Sequence, residues 1–232
     1  MRREDLRREA RSFRLLRQVG PLDAVLIGGY AVSAYSPPRF SVHLDLVLLS
    51  RTLPAVETLL RREALTLKKA WPSGKRSAIR SQRWESAHGL SADLFIGGVS
   101  DRVSGSKHSF REVRTGAARR RVRGLAPDSE AEVLVPAKEV LIGLKLESGR
   151  LVDLRDVAVL AEGDVDVDAL ARFFHGVLAP VVRQHVEALA QALDTLEFEN
   201  SLKGVYAMDS RAYTRCRRAT LALCRRLRRS NP

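Results

Sequence analysis

The chain reads as an α/β protein: a small mixed sheet in the front half, then a bundle of helices. Short Val-, Leu- and Ile-rich segments punctuated by Gly and Pro crowd residues 23–96, whereas residues after Pro136 follow helical spacing almost to the end. The composition agrees, with 232 residues, 45% hydrophobic and 29% charged, enough to bury a core and too apolar for a disordered chain. The change of pattern near residues 124–136 divides the chain into an α/β domain over 1–130 and a helical domain over 131–232.

The elements follow in order. Leu6, Ala10, Phe13 and Leu16 share one face of an amphipathic helix over 2–18, stopped by Gly20-Pro21. A strand over 23–27 runs into Gly28-Gly29 and a brief helix over 30–35, which Pro37-Pro38 ends. Residues 41–49 form the next strand and 53–67 a helix. Strands over 84–88 and 90–96 flank Gly89; in the second, Ser91, Asp93 and Phe95 share a face. Residues 97–108 read as a flexible loop, 110–122 as irregular strands and 132–135 as a short strand. Pro136 suits the first position of a helix over 136–148. The next helix carries the stripe Leu154, Val157, Ala158 and Ala161, and later helices follow over about 166–175, 178–197 and 210–229; the stripe of the helix 178–197 is Val182, His185, Val186, Leu189, Leu193 and Leu196.

Charge is abundant and uneven. The formal net charge is +13, from 33 arginines and seven lysines against 27 acids. Segments 61–83 and 102–123 each carry eight bases and one acid, residues 211–229 carry eight arginines and no acid, and residues 124–175 hold eleven acids against five bases. A general arginine bias accounts for the total but not for the clustering, which points to a polyanionic partner such as RNA. No segment approaches the roughly 20 apolar residues that span a bilayer. The first residues lack the apolar stretch of a secretory signal, so a cytoplasmic protein with no membrane partner is expected. Cys216 and Cys224 would lie roughly 12 Å apart on one helix, too far for a disulfide, and are expected to be free and buried.

The chemistry concentrates in Ile27-Gly28-Gly29-Tyr30-Ala31-Val32 and Arg39-Phe40-Ser41-Val42-His43-Leu44-Asp45-Leu46. Glycines between a strand and a helix let an anionic group approach backbone N–H groups. His43 and Asp45 are two apart and project from one face of their strand, and Asp93 on another strand can bring a second carboxylate to that face. Such carboxylates hold a divalent metal against nucleotide phosphates.

These residues resemble the nucleotidyltransferase superfamily that includes DNA polymerase β, whose pattern is a Gly-Gly or Gly-Ser turn, two Asp residues separated by one position, and a third acid on a later strand. Gly-Gly-Tyr-Ala-Val followed by Arg39-x-Ser41-x-x-x-Asp45 is similar, more narrowly, to the nucleotidyltransferase-like toxins of abortive-infection and toxin–antitoxin systems. So is the later pairing of Lys145 with the helix Leu154-Arg-Asp156-Val-Ala-Val-Leu. The resemblance, over residues 22–162, implies a small mixed-sheet nucleotidyltransferase core followed by a C-terminal helical bundle. It implies a nucleoside triphosphate bound by Gly28, Gly29, Arg39 and Ser41, with Mg2+ or Mn2+ on Asp45, Asp93 and His43. Asp45, Asp93 and Lys145 become the catalytic residues, RNA or tRNA the acceptor, and an antitoxin protein a partner.

The chain departs from the pattern at the first acidic position, which is His43. Imidazole suits manganese better than magnesium, and a lost negative charge weakens a metal site. That departure opens the alternative of a catalytically degenerate module that binds nucleic acid or protein. Each residue also has a structural explanation: Asp45 in an ion pair with Arg39, Lys145 at the edge of a helix face, and Asp153 and Asp156 paired with Arg150 or Arg155.

Overall fold

The computed structural model describes residues 3–41, 43–71, 79–176 and 178–229. Arg2, Val42 and residues 72–78, which belong to the expected first helix, the expected strand 41–49 and the basic segment 61–83, lie outside the described residues. Two compact units make up the chain: Met1–Ser100 with Lys107–Ala137, and Asp101–Ser106 with Lys138–Pro232.

The first unit runs α1 (Arg3–Val19), β1 (Ala24–Ile27), α2 (Gly28–Val32), β2 (His43–Leu48), α3 (Leu53–Arg62), β3 (Thr66–Trp71), β4 (Arg80–Glu85) and β5 (Ser91–Ile96). It continues with β6 (Gly98–Ser100), β7 (Lys107–Ser109), α4 (Phe110–Arg114), β8 (Ala118–Arg123) and β9 (Glu130–Val135). Seven strands form one mixed sheet in the order β3-β4-β5-β2-β1-β9-β8, in which β2 lies parallel to β5, β1 parallel to β9, and the other neighbours are antiparallel.

Alternation along the central strands separates two faces. Leu44, Leu46 and Leu48 of β2, Ala92, Leu94 and Ile96 of β5 and Trp84 of β4 are buried on one side. Helix α3 covers this side, with Arg61 stacked 5.2 Å from the centre of the Trp84 ring and Glu57 accepting from Gln82. Helix α1 joins it through Arg14–Glu63 and sets Phe13 edge-on to Tyr30. His43 and Asp45 alternate onto the opposite side, which is less buried.

One buried charge anchors α1. Glu9 is fully buried, and its carboxylate accepts from the backbone N–H groups of Leu125 at 3.0 Å and Ala126 at 2.8 Å. Leu6, expected on the apolar stripe of α1, is instead exposed, while Leu15, Leu16 and Val19 are buried.

Several elements differ from the expectation. The helix expected over 53–67 ends at Arg62, where Ala64 takes a positive φ of 60°, and the chain turns into β3. This edge strand is mostly exposed, so it lacks the alternation that marks a half-buried strand. Within the expected loop 97–108, β6 and β7 pair. Ser109 and Glu112 form a reciprocal capping box that starts α4 where irregular strands were expected.

The second unit contains α5 (Lys138–Ser148), α6 (Leu151–Leu160), α7 (Val167–Phe173), α8 (Pro180–Ala192), α9 (Leu196–Tyr206) and α10 (Ser210–Arg229). Val140, Leu141, Ile142 and Leu146 of α5, with Leu154, Val157 and Leu160 of α6, supply much of its core. Helix α5 begins at Lys138, two residues after Pro136, the expected first helical position. The single helix expected over 178–197 is two, because Thr195 caps a new one by accepting from the Phe198 N–H. Leu196 therefore leaves the apolar stripe and is 77% exposed. Cys216 and Cys224 are free and buried; burial first, then the nearby Glu162 carboxylate, raises the Cys216 thiol to about 12, and burial raises Cys224 to about 11. Among the described residues no helix is long and apolar enough to cross a membrane.

Glu9→Gln puts an amide N–H where backbone N–H groups require an acceptor. It should cost about 1–3 kcal/mol in urea unfolding; an unchanged midpoint would show that the loop at 125–126 does not depend on Glu9.

Candidate functional site

Register builds the site. Ile27 on β1 pairs with Asp45 on β2, Asp45 with Asp93 on β5, Asp93 with Arg83 on β4, and Arg83 with Lys69 on β3. Residues paired in register project to the same side of a sheet, so Asp45 and Asp93 stand side by side on strands about 4.8 Å apart. Along the less buried face this row reads cation, cation, carboxylate, carboxylate, apolar.

Arg83 clamps Asp93 with two bonds, Nε to Oδ1 at 2.8 Å and Nη2 to Oδ2 at 2.6 Å. Its guanidinium is held protonated above its ordinary range, chiefly by that hydrogen-bonded carboxylate, with smaller contributions from Glu85 and Asp45. Two adjacent carboxylates repel, and the Arg83 charge offsets this repulsion. Arg83 contributes to the expectation only as one more base in a basic segment. The antiparallel pairing of β4 with β5 places it on Asp93.

The neighbouring row, two residues along, pairs His43 with Ser91 and Ser91 with Glu85. His43 is exposed, and its Nδ1 makes a short hydrogen bond to Ser91 Oγ. His43, Asp45, Ser91 and Asp93 thus share one patch.

Gly28 follows directly from the pairing of Ile27 with Asp45. It takes φ +74°, and a methyl group on it would sit 2.0 Å from Asp45 Oδ2. Glycine satisfies both the backbone twist and the clearance. A methyl on Gly29 would meet the Arg39 guanidinium at 2.8 Å and Ser41 Oγ at 2.9 Å. Tyr30, buried, donates its hydroxyl to the Ser41 carbonyl at 2.6 Å and so ties the segment carrying Arg39 and Ser41 to α2. Burial pushes the Tyr30 phenol well above its ordinary range, so it stays a neutral donor. Arg39 is buried and donates from Nη1 to the Phe40 carbonyl at 3.1 Å. Gly28 and Gly29 on α2, Arg39 and Ser41 in the connection from α2 to β2, His43 and Asp45 on β2 and Asp93 on β5 therefore all lie in the first unit.

Lys145 belongs to the second unit, buried in α5. Its ammonium bridges Asp153 at 2.6 Å and Asp156 at 2.7 Å on α6. Asp153 also accepts from Ser148 and Arg150, and Asp156 from the Tyr206 hydroxyl at 2.5 Å. The expected Asp153–Arg150 pair is present; Arg155 instead donates to Ser201. Burial alone would lower the Lys145 pKa, but Asp156 and Asp153 raise it. Burial alone would raise Asp153, but Lys145 and Arg150 bring it below the ordinary carboxylate range.

No protein-family model and no curated protein sequence matches this chain. The chemical reading therefore stands on the residues themselves. Asp45, Asp93 and His43 share one polar patch in which Arg83 holds both Asp93 oxygens and Ser91 engages His43 Nδ1, and glycine at position 28 clears the space beside Asp45. Arg39, Ser41 and Arg83 supply donors suited to phosphate oxygens.

Gly28→Ala should destabilise the protein by about 1–3 kcal/mol in urea unfolding. Adding Asp45→Ala should return part of that loss, and an undiminished penalty would assign the whole cost to backbone twist. The Lys145 cluster also makes a pH prediction. Stability from the lowered Asp153 is present above its unfolded pKa and lost as pH falls through its folded value; stability from the raised Lys145 is present below its unfolded pKa and lost as pH rises through its folded value. Lys145→Met, which leaves buried Asp156 without its cation and Asp153 with only Arg150, should cost about 3–5 kcal/mol near neutrality. Its melting temperature should then rise rather than fall on mild acidification, and a profile parallel to the parent would remove Lys145 from the pH dependence.

Proposed function

We propose that this protein transfers a nucleotidyl group from a nucleoside triphosphate to an acceptor hydroxyl, with a divalent metal at Asp45 and Asp93. The observation that carries the reading is the register pairing of Asp45 with Asp93 beside Gly28. His43, held by Ser91 at Nδ1, would be the third residue to hold the metal, and a nitrogen donor would favour Mn2+ over Mg2+. The metal, when bound, supplies a Lewis acid for the phosphate oxygens. Arg39 and Ser41 bind the triphosphate across Gly29, and Arg83 exchanges Asp93 for a phosphate oxygen as the ligand arrives. A carboxylate takes the proton of the acceptor hydroxyl, the oxygen bonds to the α-phosphorus, and pyrophosphate leaves. Lys145 acts by holding Asp153 and Asp156 in place. RNA, including tRNA, is the acceptor class that suits a chain of net charge +13. An antitoxin-type partner belongs to the same reading.

One observation favours a second reading. The Arg83–Asp93 clamp, together with imidazole at position 43, neutralises much of what a metal needs, as in a protein that keeps the pocket only to bind a ligand.

Labelled nucleoside triphosphates, total RNA and either Mg2+ or Mn2+ decide between the two. Transfer should be faster with Mn2+, fall at least 100-fold in Asp45→Asn, and gain with Mg2+ in His43→Asp. Absence of transfer with both metals, alongside nucleotide binding indifferent to Asp45→Asn, would establish the second reading. Growth arrest on expression that Asp45→Asn abolishes would support the toxin form of the first.

A further inference from the structure

Helix α10 divides its eight arginines between two tasks. Its buried face is Tyr213, Cys216, Thr220, Leu223, Cys224 and Leu227. Arginines on the flanks of that face are engaged locally: Arg217 with Asp194, Arg228 with Glu187 at 2.7 Å, and Arg226 with the Val165 carbonyl. The outward positions differ. Arg211, Arg218, Arg225 and Arg229 step by seven, seven and four residues, which at 100° per residue keeps them within about 40° of one line opposite the buried face. All four are exposed, and no carboxylate pairs with them among the described residues. Arg215, on the same line, pairs with Glu162.

We infer that this stripe is a docking surface for the phosphodiester backbone of a nucleic acid. It places four unpaired guanidinium groups along roughly 27 Å of straight helix, with about 10 Å between the first three. Guanidinium is the side chain that grips phosphate in a bidentate manner, and neutralising successive phosphates releases counterions. Other polyanions fit less well. The exposed residues of α10 are arginines, Ser210 and Thr214, so an acidic protein would find no exposed apolar anchor there. An anionic membrane would need an amphipathic face to insert, and the apolar face of α10 is already buried within its own unit. The inference rests on α10 alone and does not require nucleotidyl transfer.

The test uses the full-length protein and labelled 20-mers of duplex RNA, single-stranded RNA and duplex DNA, followed by fluorescence anisotropy from 50 to 200 mM KCl. Four contacts predict a slope of about −3.6 in log K against log salt for duplex DNA, and about −2.8 for single strands. The variant R211Q/R218Q/R225Q/R229Q should weaken binding more than tenfold at 100 mM salt and flatten the slope by most of that amount. The four-lysine variant should retain most of the affinity, and R217Q/R228Q, which removes locally engaged charges, should change it less than twofold. If circular dichroism shows the four-glutamine variant unfolded, R218Q/R225Q serves in its place, with about half the change in slope. Tighter binding to RNA than to DNA names the ligand as RNA; equal binding leaves the backbone chemistry as the determinant and supports the same surface. Affinity unchanged in the glutamine variants, or polyglutamate bound as tightly as RNA, would overturn the assignment. Because the readout is binding, a protein inert in nucleotidyl transfer tests the stripe equally well.

Discussion

The parallel register between β2 and β5 governs the charged face of the first unit. Pairing Asp45 with Asp93 puts two carboxylates on adjacent strands, an arrangement that raises the energy of the sheet unless cations stand near. Arg83 meets that need from the next strand with a bidentate clamp, and Lys69 follows it in the same row. A slip of one residue between β2 and β5 would turn Leu44 and Leu46 away from the apolar side and Asp45 onto it, beside Ala92, Leu94 and Trp84, where an unpaired carboxylate is costly. The leucines on one face therefore hold the carboxylates on the other. The antiparallel register of β1 on β2 sets the position of Gly28, because the residue after Ile27 has to clear the Asp45 side chain.

The second unit handles charge differently. Lys145, Asp153 and Asp156 are removed from water together, and Ser148, Arg150 and Tyr206 take up further hydrogen-bonding capacity of the two carboxylates. Such a network tolerates no single deletion well, since each member lowers the desolvation cost of the others. Around it, α10 shows how one strongly basic helix can be both structural and available. Its flank arginines join the fold through Asp194 and Glu187, while the outward line keeps its charge for solvent or a ligand.

What could be read early was what is encoded within a few residues. Alternation in Leu44–Leu48 and Leu90–Ile96 showed which side chains share a face, and helical spacing separated Cys216 from Cys224. Reading failed where the signal was weak or the decision local but inconspicuous. Edge strand β3 has no apolar alternation because both of its faces are largely exposed. The break between α8 and α9 turns on Thr195, a cap hidden inside a continuous apolar period. The capping box of Ser109 and Glu112 was legible in principle, and the neighbouring loop composition masked it.

By itself the sequence determined the α/β-then-helical order, the two faces of the central strands, the glycine pair and the concentration of arginine in α10, because periodicity and composition act over short distances. Only the tertiary structure decided that Asp45 neighbours Asp93, that Arg83 clamps the latter, that Arg39 and Ser41 close over Gly29, and that Lys145 is bound by two aspartates. Each of these depends on how two separate elements are registered or packed against each other, and periodicity within one element does not carry that information.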